Sequence, residues 1–98
     1  MKINALLLDP KDNVVTCVSE VQKGEQVVYR GETGILTVDA LEDIPYCHKV
    51  ALVDLKEGDA VIKYGEMIGK TNRPVQKGCW LNEHNVYSVP RAYDAEMI

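Results

Sequence analysis

Residues 44–85 read IPYCHKVALVDLKEGDAVIKYGEMIGKTNRPVQKGCWLNEHN, and the fold is decided by how this stretch is parsed. Its apolar residues come in short runs such as Val50-Ala51-Leu52-Val53 and Val61-Ile62, each bounded by glycine, proline or charged residues. That punctuation belongs to short strands joined by turns, because no window shows the three-to-four-residue apolar spacing of a long amphipathic helix. Leu55-Lys56-Glu57-Gly58-Asp59-Ala60-Val61 and Val75-Gln76-Lys77-Gly78-Cys79-Trp80-Leu81 share a form with the earlier Val21-Gln22-Lys23-Gly24-Glu25-Gln26-Val27. Each has an apolar residue, two polar ones, a glycine, two further residues and a return to apolar. Glycine supplies the positive φ of a tight turn while the apolar ends pin the segment to a core. The unequal intervals between Gly24, Gly58 and Gly78 exclude a solenoid.

Outward from that stretch the reading stays β. Lys2–Leu8 and Val14–Val18 suit two strands separated by the turn formers Asp9-Pro10-Lys11-Asp12-Asn13. Val27–Arg30 leads through Gly31-Glu32-Thr33-Gly34 into Ile35–Val38, as a hairpin does. Ala40–Asp43 suits a single helical turn before Pro45, and Lys49–Val53 a strand buried on both faces. Lys63–Gly69 is expected as two extended pieces kinked at glycines. From Val86 onward neither strand nor helix is signalled. The division expected is a β domain over 1–86 and a tail over 87–98 whose Tyr87, Tyr93, Met97 and Ile98 suit docking on a partner.

A 98-residue chain is one domain. At this size about 60–65% of the unfolded surface is buried, so a site completed by another chain, or by a second copy in a homo-oligomer, is more natural than a deep private cleft. The formal charge of −4, from 11 basic and 15 acidic side chains, argues against nucleic acid. The four-residue apolar run Ala5–Leu8 is too short for a secretory core or a membrane span, so a cytoplasmic location is expected. Cys17, Cys47 and Cys79, spaced by 30 and 32 residues, fit neither a disulfide framework nor a CxxC metal site and read as small buried hydrophobes.

Polar residues able to carry chemistry fall in or beside the quoted stretch. His48 adjoins Lys49, whose charge disfavours an imidazolium if the two side chains are close, although neighbours on a strand point apart. In Asn82-Glu83-His84-Asn85, an extended segment would place Asn82 and His84 on one face. A metal needs three or more protein ligands, so His84 would be one of a set completed elsewhere. Lys63 and Tyr64 offer a point charge and a hydroxyl to a carboxylate, the alternative being a solvated lysine and a packed ring. Trp80 reads as core.

Asp12-Asn13-Val14, Ile44-Pro45, His48-Lys49-Val50-Ala51-Leu52, Lys63-Tyr64-Gly65, Ile68-Gly69 and His84-Asn85, in this order, resemble the SAF domain of the altronate and galactarate dehydratase family. The resemblance covers about residues 9–86, and the chain's length is similar to that of the small subunits of two-component members, including sulfolactate sulfo-lyase. It implies a β-clip fold and an accessory, lid-like role beside a large catalytic lyase subunit that removes water, or sulfite in the sulfo-lyase, from a hydroxylated acid. It also implies a divalent metal, iron, held mainly by that partner. His48, His84, Lys63 and Tyr64 are the implied catalytic residues, Lys49 and Asn85 the substrate-binding ones, and His84 a metal ligand. Two positions depart from the family pattern: Cys47 stands where glycine is common before the histidine, and Asn82 where the closing motif has its first histidine. The second departure favours the competing reading, a noncatalytic module that binds a sugar acid or a protein.

Overall fold

The computed structural model describes residues 2–89. Among them are nine strands: β1 (Ala5–Leu6), β2 (Val14–Cys17), β3 (Gln26–Gly31), β4 (Gly34–Asp39), β5 (Lys49–Ala51), β6 (Ala60–Lys63), β7 (Glu66–Thr71), β8 (Trp80–Leu81) and β9 (Val86–Tyr87). They form three antiparallel sheets, ordered β1-β2-β5-β8, β3-β4 and β6-β7-β9. The fold is mainly β, as expected. No helix among the described residues is long and apolar enough to cross a membrane.

The four-stranded sheet lies between two cores. Across the β2–β5 ladder Val14 pairs with Ala51 and Val15 with Val50. Because strand neighbours point to opposite faces, Val15 and Val50 join one cluster with Val21, Val27, Tyr29 and Ile44, while Val14 and Ala51 join another with Leu55, Val61, Val75 and Leu81. The centre of the 49–53 segment is therefore buried on both faces, as its continuous apolar text predicts; Val53 at its end is exposed. Full burial of each Val, Ile or Leu in these clusters is worth about 1.5–3 kcal/mol.

The glycine units turn the chain as expected. Gly24, Gly58 and Gly78 have φ of +89°, +87° and +93°, and the next residue begins or leads into β3, β6 and β8. In each, the N–H after glycine donates to the carbonyl two residues before it: Glu25 to Gln22, Asp59 to Lys56, Cys79 to Gln76. A fourth unit obeys the same geometry. His48 N–H donates to the Pro45 carbonyl, Cys47 takes φ +67°, and β5 starts at Lys49. The units meet in two clips, through the bridges Val21 with Ile44 and Leu55 with Val75. An aspartate before one bridge residue caps the partner unit in both: Asp43 Oδ1 accepts from Lys23 N–H and Asp54 Oδ1 from Lys77 N–H, each at 2.8 Å.

Four expectations are corrected. Ala40–Asp43 forms no helical turn; Ala40 is buried, its N–H donates to the Glu25 carbonyl and its carbonyl accepts from Gly24 N–H, so the segment bends at Leu41 and Glu42 while tied to the first clip. Lys63–Gly69 is one hairpin: Lys63 pairs with Glu66 and the two-residue loop Tyr64-Gly65 has φ of +58° and +73°, the signs of a type I′ turn. Tyrosine at the first of those positions hides the usual Asn-Gly or Asp-Gly signal. Val86–Tyr87 is a strand, paired with Lys70 and Thr71 of β7, a pairing that only tertiary placement creates. Of the three cysteines, Cys17 is buried and Cys79 half-buried, but Cys47 is exposed, as its turn position requires. The part of the 87–98 docking tail from residue 90 on lies outside the described residues.

Candidate functional site

The residues Asp12 and Asn13 build the platform for the hairpin that carries Lys63 and Tyr64. Asp12, nearly buried, accepts from the N–H groups of Tyr64 (3.1 Å) and Gly65 (2.8 Å), capping the turn. Asn13 imitates a strand: its Nδ2 donates to the Ala60 carbonyl at 2.9 Å and its Oδ1 accepts from Ile62 N–H at 2.8 Å. Two motif fragments distant in sequence are thus in direct contact. Tyr64 is 64% exposed and Lys63 Nζ lies 5.2 Å from its ring centroid, a cation–π geometry, so the tyrosine ring is not packed in the core.

A groove of about 500 Å³ is walled by His48, Lys49, Ile68, Trp80, Asn82 and His84, among others. It brings together His48, Lys49 and His84. His48 and Lys49 share it because His48 sits in the clip turn, not on the strand, so strand alternation does not separate them. Trp80, opposite Val50 in the β5–β8 ladder, donates its indole N–H to His48 Nδ1 at 2.9 Å, with the rings edge to face at 5.2 Å and 84°. Trp80 is half-buried at the groove wall, so it is a site residue as well as a packing residue. Its backbone is clamped on both sides: Glu42 Oε2 accepts its N–H at 3.0 Å, and Asn85 Nδ2 donates to its carbonyl at 2.8 Å. Nothing in the sequence pairs Glu42 with Trp80, 38 positions away.

Lys49 is the electrostatic focus. It is half-buried, and burial first, then the charge of Lys63, push its ammonium below the ordinary lysine range. Among the described residues it makes no ion pair with a carboxylate, and the Thr16 hydroxyl oxygen, on the residue paired with it in β2, is buried without a hydrogen-bond partner. A cation so placed is under-compensated and favours an anion.

The 82–85 segment is a turn rather than an extended strand. Asn82 Oδ1 accepts from His84 N–H at 2.8 Å, and Asn85 Oδ1 accepts from Asn82 N–H at 2.8 Å. Asn82 and His84 are therefore not partners on one strand face; the amide folds the loop that presents the imidazole, the Asx-turn habit of asparagine. Asn85 holds that loop with both ends of its amide. The His84 ring is 81% exposed, with Nε2 3.9 Å from Glu83 Oε1, a pair worth little in solvent. No three His, Cys, Asp or Glu side chains among the described residues converge to hold a metal ion, so the residues present do not fit a metal centre built by this chain alone.

Comparison with known proteins gives one consistent picture. Residues 3–89 match the altronate/galactarate dehydratase SAF domain. Altronate dehydratase of Bacillus subtilis is 33% identical over 75 residues, 76% of this chain and 14% of that enzyme. Galactarate dehydratase (L-threo-forming) of Escherichia coli is 36% identical over 75 residues, 76% of this chain and 13% of the enzyme. The (2R)-sulfolactate sulfo-lyase subunit alpha of Chromohalobacter salexigens is 32% identical over 89 residues, 88% of this chain and 95% of that subunit. The chain thus spans a small fraction of the two dehydratases and nearly all of the lyase subunit.

Proposed function

From the premise that the chain belongs to the altronate/galactarate dehydratase SAF-domain family, we propose that it is the small, lid-like part of a sugar-acid lyase and assists elimination of water from a hexonate or hexarate. The observation that carries this reading is Lys49, a half-buried lysine with no carboxylate partner among the described residues, lining an open groove together with His48 and His84. A sugar-acid carboxylate supplies the missing counter-charge, and the neighbouring Lys63 adds to the same field.

Elimination removes a proton from the carbon beside the carboxylate and breaks a carbon–oxygen bond, the departing hydroxide taking a proton to leave as water. In this reading Lys49 orients the carboxylate and Lys63 adds to its field from the neighbouring hairpin, His48 and His84, which line the groove, hydrogen-bond the substrate, and Tyr64 adds a hydroxyl at the hairpin tip. Asn85 and Glu42 keep the loop and Trp80 in place. The divalent metal, iron, belongs in this proposal to a large partner subunit, where it would stabilise the charge developing on the carboxylate.

Mixing the chain with a large lyase subunit of the altronate/galactarate dehydratase type, in ferrous iron, is expected to restore formation of the 2-keto acid from altronate or galactarate. Turnover by the isolated chain overturns the reading. Asn82 favours a second reading, a noncatalytic sugar-acid binding module. Calorimetry of the free chain with galactarate separates the two, since tight binding without a partner supports the module.

A further inference from the structure

Trp80 is held at every point that determines where its indole N–H aims. Glu42 and Asn85 fix its backbone, the first core cluster supports its ring, and the edge-to-face contact with His48 sets the angle. An indole N–H can only donate. His48 Nδ1, 2.9 Å away, must therefore offer a lone pair, which puts the proton of the neutral imidazole on Nε2.

We infer that Trp80 is a positioning residue that holds His48 as the neutral Nε2–H tautomer, so that His48 donates a hydrogen bond to a carboxylate or hydroxyl oxygen in the groove and is not the group that removes the substrate proton. The ligand half of this inference rests on the function proposed above; the tautomer half rests on the geometry alone. It assigns proton abstraction to a group other than His48.

With two histidines in the sequence, the ring nitrogens of His48 are resolvable by long-range 1H–15N correlation of the free chain at alkaline pH. The expected spectrum shows Nε2 protonated and Nδ1 bare. In Trp80→Phe, which keeps the ring contact and loses the donor, the tautomer ratio is expected to fall by roughly three- to tenfold, the worth of one ordinary hydrogen bond. A wild-type ring carrying its proton on Nδ1, or a ratio unchanged in a folded Trp80→Phe, overturns the inference. Should that variant not fold, His48→Ala serves, since His48 is exposed: the Trp80 indole proton is then expected to exchange faster with solvent, and unchanged exchange overturns it. In the reconstituted enzyme His48→Gln, which retains an N–H donor, is expected to keep turnover within about tenfold, whereas a loss of roughly a hundredfold or more, the signature of a missing base, refutes the donor role. The ring signals of the free chain decide the tautomer whatever the reconstitution gives.

Discussion

Replacing Cys47 by glycine should make the protein more stable although it removes atoms and adds no contact. Cys47 occupies the glycine place of the fourth clip turn at φ +67°, where the other three units carry glycine near +90°. A residue with a Cβ is disfavoured in that region by about 1–2 kcal/mol. Glycine loses more chain entropy on folding, about 0.5–1 kcal/mol. Cys47 is exposed, so its truncation forfeits little buried area, and the difference leaves a gain of about 0.5–1 kcal/mol. For a domain of this size that is a rise in thermal midpoint of roughly 2–8 °C. Thermal unfolding followed by Trp80 fluorescence reads it, with Cys47→Ala as the control that removes the thiol but keeps the Cβ and should stay near wild type. Gly58→Ala is the reciprocal experiment: a Cβ there meets nothing within 4 Å, so the expected loss of about 1 kcal/mol or more is backbone strain alone. Gly78→Ala should lose more still, since its Cβ would strike the Asp39 carbonyl oxygen. A Cys47→Gly protein no more stable than Cys47→Ala would refute the strain argument and the equivalence of the four turns.

Three further outcomes follow from the same structure. Asn13→Ala removes two part-buried hydrogen bonds and orphans the Ile62 N–H and Ala60 carbonyl, so a loss of about 2–4 kcal/mol is expected in denaturant unfolding; a loss under about 1 kcal/mol would show that water replaces the amide. Burial raises the Cys17 thiol from 9.0 to about 11. Its stabilising contribution is complete below pH 9.0 and is lost as the pH climbs through that window, by up to about 2–3 kcal/mol, and Cys17→Val measured alongside wild type should lack this alkaline slope. Lys49 has the opposite sign: its depressed value means the unfolded chain holds the extra proton, so stability rises with pH from the depressed value toward 10.5. Lys49→Met should abolish that rise, stabilise the free chain near neutrality, and weaken sugar-acid turnover in the reconstituted enzyme; a less stable variant would mean the ammonium has a compensating partner.

Much of the architecture was legible because turn chemistry is local. The glycine units, the 31–34 hairpin connection and the doubly buried Val50-Ala51 pair each declare themselves within a few residues. What escaped the sequence had lost its local marker or depended on distance. The fourth clip turn is masked by Cys47 standing where glycine is the signal, and the 64–65 turn by tyrosine in a left-handed position. Asn82 reads as a substituted histidine until its amide is seen accepting the His84 N–H, after which it is a loop-former. The groove itself was half legible. His48, Lys49 and His84 do converge, yet the tryptophan that orients one of them gave no sign beyond being the only one in the chain. Lys63 and Tyr64 sit on a separate hairpin, linked to the groove by charge.

Val14 and Val15 are consecutive, yet each serves a different core. The central sheet is a party wall, and adding or deleting a single residue within β2 would swap the furnishings of both rooms at once, carrying Thr16 into an oily interior. Length variation among descendants of this chain should accordingly collect in the hairpin tips and in the loop before β2, while the count of residues from Val14 to Cys17 stays fixed however freely their identities drift.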